Sequence, residues 1–330
     1  MKKHYVLLAT GGTIASVPME RGLCPAMRAA QMLDAVPRLS DNADFEARDV
    51  FSLDSSNIQP EEWRLLARET AQALENADGV LITHGTDTLA YTAAALSFML
   101  RRLKKPVILT GSQLPLNAPL SDAPLNLCEA AAALDALPGG VYILFHHKII
   151  LGARAVKMRT TSFDAFDSVN APLAGEIAAD GLHINHALLD TFKTDAPFAL
   201  EDQLDPNIFL LKLMPGTSPD VFDYVMDKGY RGVVLEAFGM GGLHYIRRNL
   251  VHKLAQLKER GIVTLVVTQC LYERADFTIY EVGHDILSSH VFSGGDMTTE
   301  AAVAKLMWVL GDAEKRLPLL RQNLCGEISL

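Results

Sequence analysis

Tyr5-Val6-Leu7-Leu8-Ala9-Thr10-Gly11-Gly12-Thr13-Ile14-Ala15-Ser16 is a short apolar run that passes directly into a turn rich in glycine and hydroxyl side chains. A continuous apolar run of this length suits a strand covered on both faces, and glycines behind it let a backbone approach a neighbour closely. The arrangement recurs. Val80–Thr83 leads into His84-Gly85-Thr86-Asp87-Thr88, and Val107–Thr110 leads into Gly111-Ser112-Gln113-Leu114-Pro115. Val141–Phe145, Ile208–Leu213, Val233–Ala237 and Ile262–Thr268 are further runs of the same kind. Helical spacing lies between several of them. Behind Pro60 stand Trp63, Leu66, Ala67, Thr70 and Leu74; from Asp87 the pattern is Leu89, Thr92, Ala93, Leu96 and Leu100. After Gly239–Gly242, the residues Ile246, Leu250, Leu254 and Leu257 predict one helical face. Strand–helix alternation of this kind predicts an α/β chain with a mainly parallel sheet.

The rhythm breaks over residues 185–206, which hold two prolines, several acids and no sustained period. A larger N-terminal domain over 1–190, a linker over 191–206 and a smaller C-terminal parallel α/β domain over 207–330 are therefore expected. With 330 residues, 49% of them hydrophobic and 21% charged, the chain has ample material for packed cores and is no disordered or fibrous protein. A net charge of −9 without a long basic block argues against nucleic acid or an anionic membrane as partner. The cluster Arg101-Arg102-Leu103-Lys104-Lys105 follows an apolar helical pattern and reads as charge behind a helix C-terminus. Cys24, Cys128, Cys270 and Cys325 stand far apart, as thiols of a reducing compartment do. No signal peptide and no spanning helix are expected, so a cytoplasmic location is.

In an open α/β sheet, ligands bind beyond the C-terminal ends of the strands, which makes the three glycine-bearing turns the candidate site. Their details exclude nucleotides: neither G-x-G-x-x-G after the first strand nor a P-loop is present, and the hydrolase elbow G-x-S-x-G is missing as well. His146-His147 lacks an acid or a cysteine at ligand spacing, and no metal site is expected there or elsewhere. No cofactor is expected either. His84 reads as a residue that shapes its loop, and Trp63 and Trp308 as core.

Thr10-Gly11-Gly12-Thr13-Ile14-Ala15 and His84-Gly85-Thr86-Asp87-Thr88 resemble the two signature motifs of the bacterial-type L-asparaginase/glutaminase family. Asp54-Ser55-Ser56, Thr110-Gly111-Ser112-Gln113, Phe163-Asp164-Ala165-Phe166, Thr268-Gln269-Cys270 and Gly294-Gly295-Asp296-Met297-Thr298 follow in the family's order and resemble its cytoplasmic, type I branch. The resemblance implies a flavodoxin-like N-terminal sheet and hydrolysis of the side-chain carboxamide of L-asparagine. It makes Thr13 the nucleophile and Thr86, Asp87 and Lys157 a proton relay. It assigns the amino-acid head of the substrate to Asp54, Ser55 and Ser56, with Asp87 pairing with the ammonium. A hydroxyl is a weak nucleophile until a base takes its proton, and loop N–H groups stabilise the oxyanion that forms. It further implies a homodimer or homotetramer. Read without the family, Asp54-Ser55-Ser56 is a turn before the helix at Pro60.

Two departures stand out. Family members carry a Tyr about ten residues after the first-motif Thr, where this chain has Leu23 in Glu20-Arg21-Gly22-Leu23-Cys24-Pro25. An effector site known in some type I members uses an Arg and a Thr where this chain has Glu236 and Val156. Three alternatives remain open: a glutaminase-asparaginase, the ammonia-releasing component of a tRNA-dependent amidotransferase, and a weakly active amino-acid-binding protein. The amidotransferase component carries an additional N-terminal domain, for which a first motif starting at residue 10 is expected to leave no room.

Overall fold

The computed structural model describes residues 2–19, 22–41, 43–276 and 291–329. They form two compact units: Met1–Ser168 with Pro172–Asp202, and Gln203–Leu330 joined by the short stretch Val169–Ala171.

The first unit is built on an eight-stranded sheet. Its strands are β1 (Lys3–Gly11), β4 (Ala43–Leu53), β5 (Gly79–Thr83), β7 (Pro106–Thr110), β8 (Gly140–Phe145), β9 (Lys148–Leu151), β12 (Gly175–Ala178) and β13 (Gly181–Ile184). Short two-stranded ribbons account for the intervening numbers: β2 (Ser16–Met19) with β3 (Gly22–Pro25), β6 (Leu100–Arg101) with β14 (Ala199–Leu200), and β10 (Ala155–Lys157) with β11 (Phe166–Ser168). Across the large sheet the order is β13-β12-β9-β8-β7-β5-β1-β4. The part from β4 to β8 is parallel throughout, and counted along the chain its order is 2-1-3-4-5, that of flavodoxin. β9, β12 and β13 extend it antiparallel.

Burial explains the elements. Every residue of β5 and β7 is buried, which their unbroken apolar runs predicted. β4 lies at the edge and alternates between covered and exposed positions, carrying a Glu46–Arg48 ion pair on its open side. Helix α1 (Ala29–Ala35) packs beside it. α2 (Pro60–Asn76) begins as its sequence announced: Pro60 opens the helix and the Gln59 N–H donates to Glu62 at 2.8 Å. α3 (Leu89–Met99) is covered on all sides, with Tyr91 alone half-exposed, as an all-round apolar helix must be. α4 (Ala123–Ala136) covers the other face beside Leu81, Ile108 and Leu144. Each aliphatic side chain so covered contributes about 1.5–3 kcal/mol.

After α5 (His186–Leu189), the second unit carries a parallel four-stranded sheet, β15 (Ile208–Lys212), β16 (Gly232–Ala237), β17 (Val263–Thr268) and β18 (Val291–Ser293), in that order. Among the described residues its helices are α6 (Asp220–Asp227), α7 (Leu250–Glu259), α8 (Thr299–Gly311) and the single turn α9 (Ala313–Arg316). The expected helical face from Ile246 is shorter than its spacing suggested. α7 starts at Leu250 with the Asn249 side chain accepting the His252 N–H, and Ile246 lies before it, 81% exposed. The stretch Val169–Ala171 joins this unit through Asn170, a residue with φ +57°. Its Nδ2 donates to the Asp296 carbonyl at 3.0 Å and its Oδ1 accepts the Glu273 N–H at 2.8 Å.

Candidate active site

The strand order reverses between β1 and β5, and an open α/β sheet binds ligands at such a switch point. The turn after β1 holds Thr13, and the turn after β5 holds Thr86 and Asp87. Glycine is required here by contact as well as conformation. Gly12 has φ +76°, and a Cβ on it would lie 2.3 Å from the Gly85 Cα; a Cβ on Gly85 would lie 2.6 Å from Ser55 Oγ. Backbone therefore meets backbone where the two motif loops touch. The third loop joins them, with the Leu116 N–H donating to the Ile14 carbonyl at 3.2 Å and the His84 N–H to the Thr110 carbonyl at 2.9 Å.

Lys157 arrives from β10, whose last residue pairs with Phe166 of β11. Its Nζ donates to Thr86 Oγ1 at 2.8 Å and to Asp87 Oδ1 at 2.5 Å. Thr86 is buried, Lys157 is half-buried, and the Asp87 carboxylate is open to solvent. Three residues separated by as many as 71 positions thus make one hydrogen-bonded group. Thr13, half-buried at the start of a single 3-10 turn, makes no hydrogen bond through its hydroxyl to any described residue.

Asp54, Ser55 and Ser56 divide between two tasks. Ser55 is buried and braces the second motif: the Asp87 N–H donates to its Oγ at 3.2 Å, and Thr88 Oγ1 donates to its carbonyl at 2.8 Å. Asp54 and Ser56 are exposed and bond each other, Ser56 donating through N–H at 2.9 Å and through Oγ at 2.7 Å to one Asp54 oxygen. The Ser56 N–H, and then its hydroxyl, hold the Asp54 carboxyl below its ordinary pKa. The turn before α2 and the candidate substrate contact are the same residues.

His84 is fully buried. Its Nδ1 must carry the proton, because it faces the Gly85 carbonyl at 2.7 Å. Its Nε2 then accepts from Thr92 Oγ1 at 2.9 Å, while that hydroxyl receives the Trp63 Nε1–H at 3.0 Å. Burial pushes the imidazole pKa down to about 4. The ring acts as a strut under the second motif, both its nitrogens spent on these bonds. His146 and His147 sit at the β8–β9 turn with φ +47° and +68°, and His147 Nδ1 lies 2.5 Å from Glu129. Among the described residues, no three His, Cys, Asp or Glu side chains gather to hold a metal ion.

Gln113, Asp122 and Asn126 are the residues that sequence reasoning left without a role. The buried Asp122 carboxylate accepts the N–H groups of Gln113 and Leu114, and Asn126 ties it to the Gly111 carbonyl. Gln113 Nε2 donates to the carbonyls of Thr160 and Ser162 in the loop after Lys157. For Asp122 and Asn126 the one sequence signal was polar side chains at an interval of four on an otherwise apolar helix start, whereas Gln113 stood in the motif Thr110-Gly111-Ser112-Gln113. Leu23 lies on β3 opposite Pro18 and is 57% exposed, offering no proton to Thr13; Glu20 and Arg21 fall outside the described residues. No helix among the described residues is long and apolar enough to cross a membrane.

Known proteins share this architecture. Residues 4–189 match the family model "Asparaginase, N-terminal", and residues 207–318 match "Glutaminase/Asparaginase C-terminal domain". An L-asparaginase of Thermococcus kodakarensis is 42% identical over 98% of both chains, and a solved structure of the thermostable L-asparaginase from that organism superposes with a TM-score of 0.90 over 99% of both chains. The L-asparaginase I structure of Vibrio cholerae superposes with a TM-score of 0.89 at 31% identity over the full length of both chains. One component of the glutamyl-tRNA(Gln) amidotransferase of Pyrococcus furiosus is 36% identical over 98% of this chain and 76% of that one. Matched in both halves and along its whole length, the chain belongs to the asparaginase family.

Proposed function

We propose that this amidohydrolase converts L-asparagine to L-aspartate and ammonia. The observation that carries the reading is the Lys157 ammonium nitrogen held within 2.8 Å of Thr86 Oγ1 and 2.5 Å of Asp87. Thr13 Oγ attacks the carboxamide carbon, giving an oxyanion that N–H groups of the glycine loops stabilise. The C–N bond breaks and ammonia departs with the proton that Thr13 loses. Water then attacks the ester on Thr13 and releases aspartate. Thr86, Lys157 and Asp87 pass protons during these steps. Asp54 and Asp87 supply negative charge for the substrate ammonium, and Ser55 and Ser56 hydroxyls for its head. Thr13 Oγ1 makes no hydrogen bond to a described side chain, so its proton leaves through water or through another residue once substrate is bound.

Glutamine is longer by one methylene, which a close-fitting pocket disfavours by roughly 10–200-fold. Ammonia release from purified protein, measured with asparagine and with glutamine, tests the reading. Faster turnover of glutamine would replace it by a glutaminase, and binding without turnover by an amino-acid-binding protein. The likeness to the amidotransferase component supports a second reading, in which release of ammonia depends on a partner and on tRNA. Turnover by the isolated chain argues against that one. We place the enzyme in the cytoplasm, in keeping with its four free cysteines, and expect a homodimer or homotetramer, which sedimentation tests.

A further inference from the structure

We propose that Gln113 reads the carboxamide nitrogen of the substrate, so that the site tells an amide from the acid it becomes. The inference rests on the carboxamide-hydrolase reading above and adds a specificity residue to it. Both N–H bonds of the Gln113 side chain are used: one donates to the Thr160 carbonyl at 3.1 Å, the other to the Ser162 carbonyl at 2.9 Å. That pairing fixes which way the amide faces, because exchanging its oxygen and nitrogen would set Oε1 against two carbonyls. Oε1 is thereby aimed at the catalytic group, 3.5 Å from Thr86 Oγ1.

The other end of the residue is held as firmly. Its backbone N–H lies 3.0 and 3.1 Å from the two oxygens of the buried Asp122 carboxylate, which Asn126 in turn holds at 3.2 Å. Little conformational freedom is left for a ligand to remove. Thr86 Oγ1 accepts from Lys157 at 2.8 Å and turns its own hydrogen towards Oε1, but at 3.5 Å that bond is long and weak, and an amide oxygen has a second lone pair, so Oε1 keeps acceptor capacity. An oxygen that can accept and cannot donate attracts the N–H of a carboxamide and repels the oxygens of a carboxylate. Asparagine and aspartate differ in that one group alone. The Gln113 oxygen therefore favours the substrate and speeds departure of the product, whereas every contact to the shared amino-acid head cancels between them.

The test is the ratio of the aspartate inhibition constant to the asparagine KM, measured in the wild type, in Gln113→Met and in Gln113→Leu. Loss of the acceptor should lower the ratio roughly tenfold, asparagine binding more weakly and aspartate more tightly. A loop that had merely loosened would weaken both ligands together and leave the ratio where it was. An unchanged ratio in either folded variant, with asparagine still hydrolysed by the wild type, overturns the Gln113 assignment and spares the hydrolase reading. A wild type that releases no ammonia from asparagine overturns both.

Discussion

His84 makes the stability of this protein depend on pH in a window that can be stated in advance. The ring is fully buried, neutral, and bonded at both nitrogens, and burial sets its pKa at about 4 against an ordinary value of 6.5. A base whose affinity for protons is lower in the fold than in the unfolded chain stabilises the fold fully above the unfolded value. That stabilisation is lost as pH falls from 6.5 towards 4, because the unfolded chain takes up the proton first. Each tenfold difference in proton affinity is worth about 1.4 kcal/mol, so the full effect is about 3 kcal/mol, of which about 2 kcal/mol disappears between pH 7 and pH 5. Other groups titrate too, and the variant His84→Gln removes this one alone. Denaturant unfolding of both proteins, at several pH values and one protein concentration, gives the difference. The wild type should lose about 2 kcal/mol more than the variant over that interval, whatever the offset between their curves. Parallel curves would refute the buried neutral strut.

Three further outcomes are expected. Lys157→Met and Thr86→Val should each lower kcat by orders of magnitude with the fold intact, and Thr13→Ala likewise; near-wild-type turnover in any of them would show its role misassigned. Burial pushes the Glu327 carboxyl up, but the charge and hydrogen bond of Lys305 and backbone N–H groups together hold it below its ordinary pKa, in a pair with no exposed side-chain surface. Lys305→Met should then cost about 3–5 kcal/mol, and adding Glu327→Gln should restore a good part of it in thermal melts; no recovery would mean that charge is not what Lys305 supplies. Glu236 accepts from Thr299 at 2.5 Å and lies 3.4 Å from Lys212, a carboxylate where the family's effector site places a cation. It would repel an effector's carboxylate, so asparagine kinetics should be hyperbolic; a sigmoidal curve made hyperbolic by changing Cys270 would count against this.

How much the sequence disclosed depends on whether local pattern or distant contact decides a position. β1, β5, β7, β8, β16 and β17 were legible because strands buried on both faces must be apolar without interruption. β4 was not, since an edge strand carries Asp44, Glu46, Arg48 and Asp49 in a run that looks like surface loop. Ile246 misled for the converse reason: its spacing fitted a helix that the Asn249 cap starts later. In the candidate site, Thr13, Thr86 and Asp87 are proposed from glycines beside strand ends together with the resemblance, and Lys157 from the resemblance alone. Gln113 was quoted without a role, because what it does is set by carbonyls 47 and 49 residues further on.

Asn170 bears on how the chain can be made and cut. The chain enters the second unit at Val169, leaves it after Ala171 and returns at Gln203. During synthesis, Asn170 reaches the ribosome exit well before Glu273, 103 residues behind it, a wait of about 5–20 s at ordinary elongation rates. Its side chain spends that interval without its eventual partners, and the second unit stays one residue short of its own bonding pattern until the two are joined. A fragment starting at Gln203 would never receive it, leaving the Glu273 N–H and the Asp296 carbonyl each without a bond they have in the whole protein. Shortening the chain to one unit at that point removes three residues the unit contains, so the segment before Gln203 is a poor place to divide this enzyme.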